Sequence, residues 1–150
     1  MTVKHDLFVY GTLAFDGVLQ ALLGHVPEKE SISVSGYVAR TIHLDGWDPF
    51  PVLLESPEHC VAGHILKGLS EVDFIKLDRY EFTEREYYFR KTLPIPGREN
   101  VLFYEPAKNL FALGELGDVW DTSSLDPSIE FTYVNSLVPK FKSENPDIFG

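Results

Sequence analysis

The order of the strand-like segments constrains the fold of this chain more than any other feature of its sequence. Ile32, Val34, Gly36 and Val38 alternate with polar neighbours, and this period of two predicts a strand with one buried face. Further strands are predicted at 7–10, 52–54, 60–66, 87–93 and 100–104, with a turn at 57–58. A doubly wound parallel sheet requires a helix between successive strands, and helices do not regularly separate these segments. The pattern therefore favours an α+β fold with mostly antiparallel strands.

Three helices are predicted between or after these strands. Asp16 is placed to cap a short helix that ends at Gly24, and Ser70 is placed to cap a second one. Apolar residues recur every four positions over 129–141, which predicts an amphipathic helix near the C-terminus. Proline lacks the backbone N–H and clashes with the preceding turn, so Pro139 is expected to end or kink that helix.

Composition narrows the class of protein. The 150 residues, 44% of them hydrophobic, predict a single domain over 1–150 with a sizeable core. The formal charge of −10 disfavours nucleic acid and anionic membrane surfaces as partners. No apolar run approaches the ~20 residues of a membrane span, and the first residues lack a signal-peptide pattern. Together with a lone cysteine, Cys60, these features lead us to expect a cytoplasmic protein.

The sequence lacks the motifs that hold common cofactors. The five histidines form no His-x-x-x-His or His-Glu-x-x-His pattern, and no glycine-rich dinucleotide or phosphate loop is present. We therefore expect no metal site and no cofactor. Cys60 and His64 would share a strand face, but their segment is typical of an ordinary strand, which disfavours Cys60 as a nucleophile.

The first candidate site is the loop that follows the strand Leu7–Tyr10. There the chain continues into Gly11, Thr12 and Leu13, and a glycine at this point predicts a close approach of the backbone to a neighbour. Successive N–H groups at such a junction can bind a carboxylate or a developing oxyanion. The alternative interpretation is a strand followed by an ordinary tight turn.

The second candidate is Glu81, at the end of the helix that begins after Ser70. Phe74, Leu77 and Glu81 are spaced to share one helical face, which places a carboxylate at the end of an apolar stripe. Apolar surroundings and the negative end of the helix dipole would both raise the pKa of that carboxyl, which suits a general acid or base. The alternative is a surface ion pair with Arg79 or Arg85.

Two residues on later strands bear on the same region. Arg90 lies among apolar and aromatic neighbours, which predicts a partly buried ion pair with Glu81, Glu84 or Asp78 rather than a substrate contact. Tyr104 follows on the next predicted strand, and we expect it to pack in the core rather than to reach the site.

Five segments of the chain, taken in order, resemble one known family. Residues 8–13, 50–53, 61–66, 77–81 and 87–90 are similar to those of γ-glutamylcyclotransferase-like proteins, in the branch of γ-glutamylamine cyclotransferase and AIG2-like proteins. The resemblance covers residues 6–105 best. It implies a small closed β-barrel flanked by helices and a cofactor-independent enzyme. Such an enzyme cyclises a γ-glutamyl group to 5-oxoproline and releases an amine or an amino acid.

The resemblance also implies roles for particular residues. The catalytic glutamate of the family corresponds to Glu81, and its substrate-binding loop corresponds to Tyr10, Gly11, Thr12 and Leu13. The implied partner is therefore a small γ-glutamyl compound, which the loop would hold largely through backbone groups while Glu81 moves the protons.

The chain departs from the family pattern directly after Glu81. Phe82 stands where relatives often have a small residue, and Glu84 and Glu86 follow closely. Two alternatives therefore remain open beside the cyclotransferase. One is a catalytically idle barrel that binds a small molecule or a protein, and the other is an amide hydrolase in which Glu81 activates water. The identity of the leaving group and the oligomeric state are left open by the sequence.

Overall fold

A computed structural model describes residues 5–45, 50–80, 88–98, 101–106, 111, 114–120 and 127–149. Six strands in this part of the chain form one sheet in the order β4-β5-β1-β3-β2-β6. They are β1 (His5–Val9), β2 (Glu28–Leu44), β3 (Phe50–Leu69), β4 (Tyr88–Thr92), β5 (Val101–Pro106) and β6 (Gly114–Val119). The helices are α1 (Asp16–Leu23), α2 (Glu71–Tyr80), α3 (Pro127–Thr132), α4 (Val138–Glu144) and α5 (Pro146–Phe149).

The sheet is open and mixed. β1 pairs with β5 in parallel, whereas β1 with β3, β2 with β3, β2 with β6 and β4 with β5 are antiparallel. β4 and β6 lie at the two ends of the strand order, and no ladder joins them among the described residues. The α+β class is thus confirmed, but the expected closed barrel is wrong, and the parallel pair of β1 and β5 makes the sheet mixed. Hydrophobic periodicity shows which face of a strand is buried, not which strands become neighbours.

The longest ladder joins β2 and β3. Val34 is buried between the exposed Ser33 and Ser35, as the alternation predicts. The alternation does not continue to Val38: after the register shift between Ser35 and Tyr37, it is Ala39 that lies with Val34 on one side of the sheet. The predicted turn at 57–58 is wrong, because β3 continues through it. Ser35 pairs with Cys60 and Tyr37 with Glu55, so several residues of β3 lie opposite one residue of β2. Such a bulge leaves residues outside the ladder, which accommodates Pro57.

Successive strand residues point to opposite sides of the sheet, and buried side chains are found on both sides. We call the larger group of buried side chains, shared with α1 and α2, the helix-side cluster, and the other the opposite cluster. The helix-side cluster includes Leu7, Val9, Leu13, Leu19, Leu66 and Leu77. The opposite cluster includes Phe8, Tyr10, Leu53, Ile65, Val101 and Phe103.

The starts and ends of α1 and α2 follow local signals. α1 ends at Gly24, whose φ of 83° is a conformation that glycine adopts readily. Asp16 is the first helical residue rather than the cap, and the N–H of Gly17 instead donates to Glu130 Oε2 over 2.9 Å. α2 begins with a reciprocal pair, in which Ser70 N–H donates to Asp73 Oδ2 and Asp73 N–H donates to Ser70 Oγ.

The C-terminal region is helical, as the spacing of apolar residues predicts. α3 and α4 are joined by a π-helical turn, Tyr133–Leu137, that directly precedes Val138 and Pro139. Helical backbone continues past the proline to Glu144, so Pro139 does not end the helix. A π-helical turn interrupts regular α-helical hydrogen bonding, which accommodates the missing proline N–H. No described helix is long and apolar enough to cross a membrane.

Candidate functional site

The candidate site lies where β1 and β5 end. Leu7 of β1 is level with Leu102 of β5 in the parallel ladder, and Tyr104 lies two residues further along β5. Arg90 of β4 is in turn opposite Tyr104. The loop that follows β1 therefore lies at the same end of the sheet as these two polar side chains.

The Tyr10–Leu13 loop is anchored on both sides of the sheet. The ring of Tyr10 stacks on Phe8 with centroids 5.9 Å apart and belongs to the opposite cluster. Leu13 is buried in the helix-side cluster. Ala14 N–H donates to Gly11 O over 3.0 Å and closes the turn between them. The side chains at the two ends of the loop are thus fixed by packing against different cores.

Two glycines allow the backbone to pass close to neighbouring atoms at the start of this loop. A Cβ atom at Gly11 would lie 3.0 Å from Pro51 Cγ, so the close approach predicted there exists and its partner is Pro51. The hydroxyl of Tyr88 donates to Pro51 O over 3.2 Å and ties this contact to β4. A Cβ atom at Gly63 would lie only 2.5 Å from Val9 O, so β3 requires glycine where it crosses the end of β1.

Lys29 holds the other end of the loop, and sequence reasoning missed it. From β2, its Nζ donates to Ala14 O over 2.8 Å and lies 2.5 Å from Asp16 Oδ1. Ala14 closes the single turn of 3₁₀ helix, Thr12–Ala14, in which Thr12 takes part through its backbone. A lysine flanked by two glutamates at the start of a strand is typical of solvated surface, so the local sequence carries no signal for this contact.

Asp78 joins the last turn of α2 to β4 and β5. Its Oδ1 accepts a hydrogen bond from the Tyr104 hydroxyl over 2.8 Å and forms an ion pair with Arg90, whose Nε lies 2.9 Å away. The guanidinium carbon of Arg90 also lies 4.8 Å from the ring centre of Phe74. The predicted ion pair of Arg90 is confirmed with Asp78 as its partner, and Tyr104 is buried as expected. Its hydroxyl nevertheless takes part in the polar contacts of Asp78, and we call Asp78, Arg90 and Tyr104 the Asp78 cluster.

The opposite side of the same turn is tied to the C-terminal helices. Arg79 donates to Asn145 Oδ1 over 2.9 Å and to Asp147 Oδ2 over 3.2 Å. The ring of Tyr80 meets that of Phe141 edge to face, with centroids 5.6 Å apart. The three residues 78–80 are therefore each fixed by a different partner.

The predicted general acid/base, Glu81, follows Tyr80 directly in the chain and lies outside the described residues, as do Phe82, Glu84, Arg85 and Glu86. Of the predicted site residues, the structure describes the loop 10–13, with the side chain of Thr12 excepted. It brings this loop and the Asp78 cluster to one end of the sheet.

His64 and Cys60 both lie on β3. His64 of β3 lies opposite Val9, and its Nδ1 is buried without a hydrogen-bond partner among the described residues. Burial and, secondarily, the nearby ammonium of Lys29 lower the pKa of His64, which favours the neutral imidazole. Cys60 is exposed. The described part of the chain contains no group of three or more His, Cys, Asp or Glu residues placed to hold a metal ion.

Known proteins are similar to this chain in sequence and in fold. AIG2-like protein C of Arabidopsis thaliana is 35% identical over 91 residues, which are 61% of this chain and 49% of the relative. The match thus spans about half the length of that protein. AIG2-like protein D of Arabidopsis thaliana is 28% identical over 147 residues, covering 97% of this chain and 74% of the relative.

A solved structure and a family pattern extend the comparison. A structure described as γ-glutamyl cyclotransferase shares the fold, with a TM-score of 0.61 at 10% identity over 96% of this chain and 81% of the other. The sequence pattern of the family described as γ-glutamyl cyclotransferase, AIG2-like, matches residues 7–117. That match spans more than half of this chain, so the chain belongs to the γ-glutamyl cyclotransferase, AIG2-like family.

Proposed function

We propose that this protein converts a γ-glutamyl group to 5-oxoproline and releases an amine or an amino acid, with Glu81 as general acid and base. One observation carries the proposal beyond family membership. Asp78 ties the last turn of α2 to β4 and β5 at the end of the sheet where the Tyr10–Leu13 loop lies. Glu81 directly follows Tyr80, the last residue of this turn, in the sequence.

The proposed reaction is an intramolecular aminolysis. The α-amine of the γ-glutamyl group forms a bond to its own γ-carbonyl carbon, and the bond from that carbon to the leaving nitrogen breaks. An ammonium has no lone pair for this attack, so a base must first remove a proton. Glu81 takes that proton and gives it to the leaving nitrogen, then takes the second proton that the ring nitrogen loses as the amide forms and passes it to the released amine, so protons balance without water or a cofactor.

The loop is proposed to hold the substrate's α-carboxylate through the N–H groups of Gly11, Thr12 and Leu13. Tyr10 is proposed to contribute through its backbone, because its ring packs in the opposite cluster. The substrate brings both reacting groups on one short chain, so holding it bent supplies much of the rate. Effective molarities for well-oriented intramolecular reactions correspond to roughly 7–11 kcal/mol.

A panel of γ-glutamyl amines, amino acids and peptides tests the proposal, with 5-oxoproline and free glutamate both quantified by mass spectrometry. We expect 5-oxoproline from at least one compound and a loss of about 100-fold or more in kcat for Glu81→Gln. Glu71→Gln is the matched control, because Glu71 is an exposed acid in the first turn of α2, and it is expected to retain full activity. Circular dichroism establishes that both variants fold.

The other outcomes separate the alternatives left open by the sequence. Free glutamate in place of 5-oxoproline would favour an amide hydrolase that activates water. Binding of a γ-glutamyl compound with no turnover by the wild type would favour an idle binding protein. Equal activity of the wild type and Glu81→Gln would remove Glu81 as the acid and base.

A further inference from the structure

Lys29 makes a contact that crosses the sheet. It stands on β2, which is separated from β1 by β3 in the strand order. Its register partner on β3 is Leu66, a member of the helix-side cluster, so Lys29 lies on the same face of the sheet as α1. Its ammonium reaches Ala14 O and the Asp16 carboxylate at the start of α1. The Lys29 side chain therefore links β2 to Ala14 and Asp16, the residues on either side of Phe15.

The contact between Lys29 and Ala14 O lies at the junction between the 3₁₀ turn and α1. Ala14 ends the 3₁₀ turn that contains Thr12 and Leu13, and Phe15 leaves helical geometry with a ψ of 128°. A carbonyl at such a junction lacks the donor that a continuing helix would supply. Lys29 supplies that donor, and its pairing with Asp16 keeps the ammonium in place.

The surroundings of Lys29 favour this arrangement. His64 lies beside it on β3, and the charged groups that act on this imidazole are Lys29 of β2 and Asp16 of α1. Burial and, secondarily, Lys29 lower the pKa of His64, although Asp16 raises it, so the neutral imidazole is favoured and competes little with Lys29 for the carboxylate of Asp16.

We infer that Lys29 is a positioning residue for the substrate-binding loop: its ammonium fixes the loop through Ala14 and Asp16 without contacting the substrate. The inference rests on the proposed function, since it assigns the loop to substrate binding. It predicts a specific kinetic signature. Loosening the loop weakens binding of the ground state and the transition state alike, which raises KM and leaves kcat nearly unchanged.

The test compares Lys29→Met with Lys67→Met. Lys67 is also a half-buried strand lysine paired with a carboxylate, Glu30, at 3.3 Å, but it is in β3 and not at the loop. We expect Lys29→Met to raise KM about ten-fold with kcat within about two-fold, and Lys67→Met to change neither. Lys29→Arg keeps a cationic donor and is expected to restore most of the loss.

Hydrogen exchange provides a readout that does not depend on catalysis. Amides of residues 11–16 are expected to exchange about ten-fold faster in Lys29→Met, while those of α2 keep their wild-type rates. Asp16→Asn removes the ion pair but leaves the bond to Ala14 O, so it is expected to give a smaller change in the same direction. It also tests the inference if Lys29→Met does not fold.

Failure of the inference is distinct from failure of the proposed function. A wild-type protein that forms no 5-oxoproline removes the function, and exchange then decides whether Lys29 orders the loop. An active protein in which Lys29→Met leaves KM unchanged overturns the inference. A fall in kcat at constant KM also overturns it, because it would place Lys29 at the reacting atoms. Equal acceleration of exchange in the loop and in α2 would make Lys29 a general stabiliser.

Discussion

Replacing Tyr104 by phenylalanine removes one oxygen atom and its hydrogen bond to Asp78, 2.8 Å long. The ring is 5% exposed, so the change leaves packing intact and isolates the polar contact. Hydrogen bonds to charged groups contribute about 1.5–3 kcal/mol. Asp78 keeps its contact with Arg90 and its side chain is 25% exposed, so we expect a value near the low end, about 1.5 kcal/mol. That corresponds to a fall in Tm of roughly 3–6 °C.

The same change is expected to lower kcat about ten-fold while KM stays within about two-fold. The physical reason is that Asp78 holds the turn that precedes Glu81, so a looser turn misplaces the proposed acid and base. Urea unfolding gives the stability, and 5-oxoproline formation below the unfolding transition gives the kinetics. Tyr37→Phe is the control, because Tyr37 packs against the opposite cluster, and it is expected to keep the wild-type kcat.

A double-mutant cycle with Asp78→Asn tests whether the two residues act as a pair. We expect a coupling energy of about 1 kcal/mol, since contacting polar residues are not additive. A coupling energy near zero would refute the proposed contact. A loss of stability with an unchanged kcat would show that the Asp78 cluster supports the fold alone.

Three further predictions concern the elements around the loop. Gly63→Ala is expected to cost about 2 kcal/mol or more and to raise KM, because its Cβ would lie 2.5 Å from Val9 O; thermal unfolding and kinetics measure both, and an unchanged Tm would contradict the close approach. Asp73→Ala is expected to cost about 2 kcal/mol in urea unfolding, because it removes the acceptor for Ser70 N–H at the start of α2 and the 2.9 Å contact with His25; Asp73→Asn is expected to cost less. The pKa of His64 lies below its ordinary value of 6.5, so the unfolded chain binds a proton first as the pH falls. Stability is therefore lost as the pH falls from about 6.5 towards the native pKa, and His64→Gln, measured by unfolding at several pH values, is expected to flatten that part of the slope.

Local sequence signals predicted most of the described elements, because each signal reports a local cause, but not β6 or the continuity of β3 through residues 57–58. The alternation around Val34 reflects one buried face, and Gly24 ends α1 because the backbone there has a positive φ. The neighbours of each strand were not predictable in this way. β1 pairs in parallel with β5, far along the chain, and no local pattern specifies that partner.

The Asp78 cluster shows how far sequence reasoning reached in the site. Arg90 among apolar neighbours required a counter-charge, and the candidates included its actual partner, Asp78. Tyr104 was assigned to the core, which is right for its ring. A buried phenol still needs a partner for its hydroxyl, and which acid supplies it depends on how α2 packs on β5.

The Tyr10–Leu13 loop leads to a stronger conclusion about how a site of this kind is encoded. Its four residues do not determine its shape, because Gly63 of β3 admits the end of β1 and Lys29 of β2 holds Ala14. Both contacts exist only once β2 and β3 are aligned beside β1. The Tyr10–Leu13 loop therefore becomes ordered only when the sheet folds. It follows that transplanting residues 10–13 into another strand–loop junction would not reproduce this loop, unless a close-packed glycine and a reaching cation came with it.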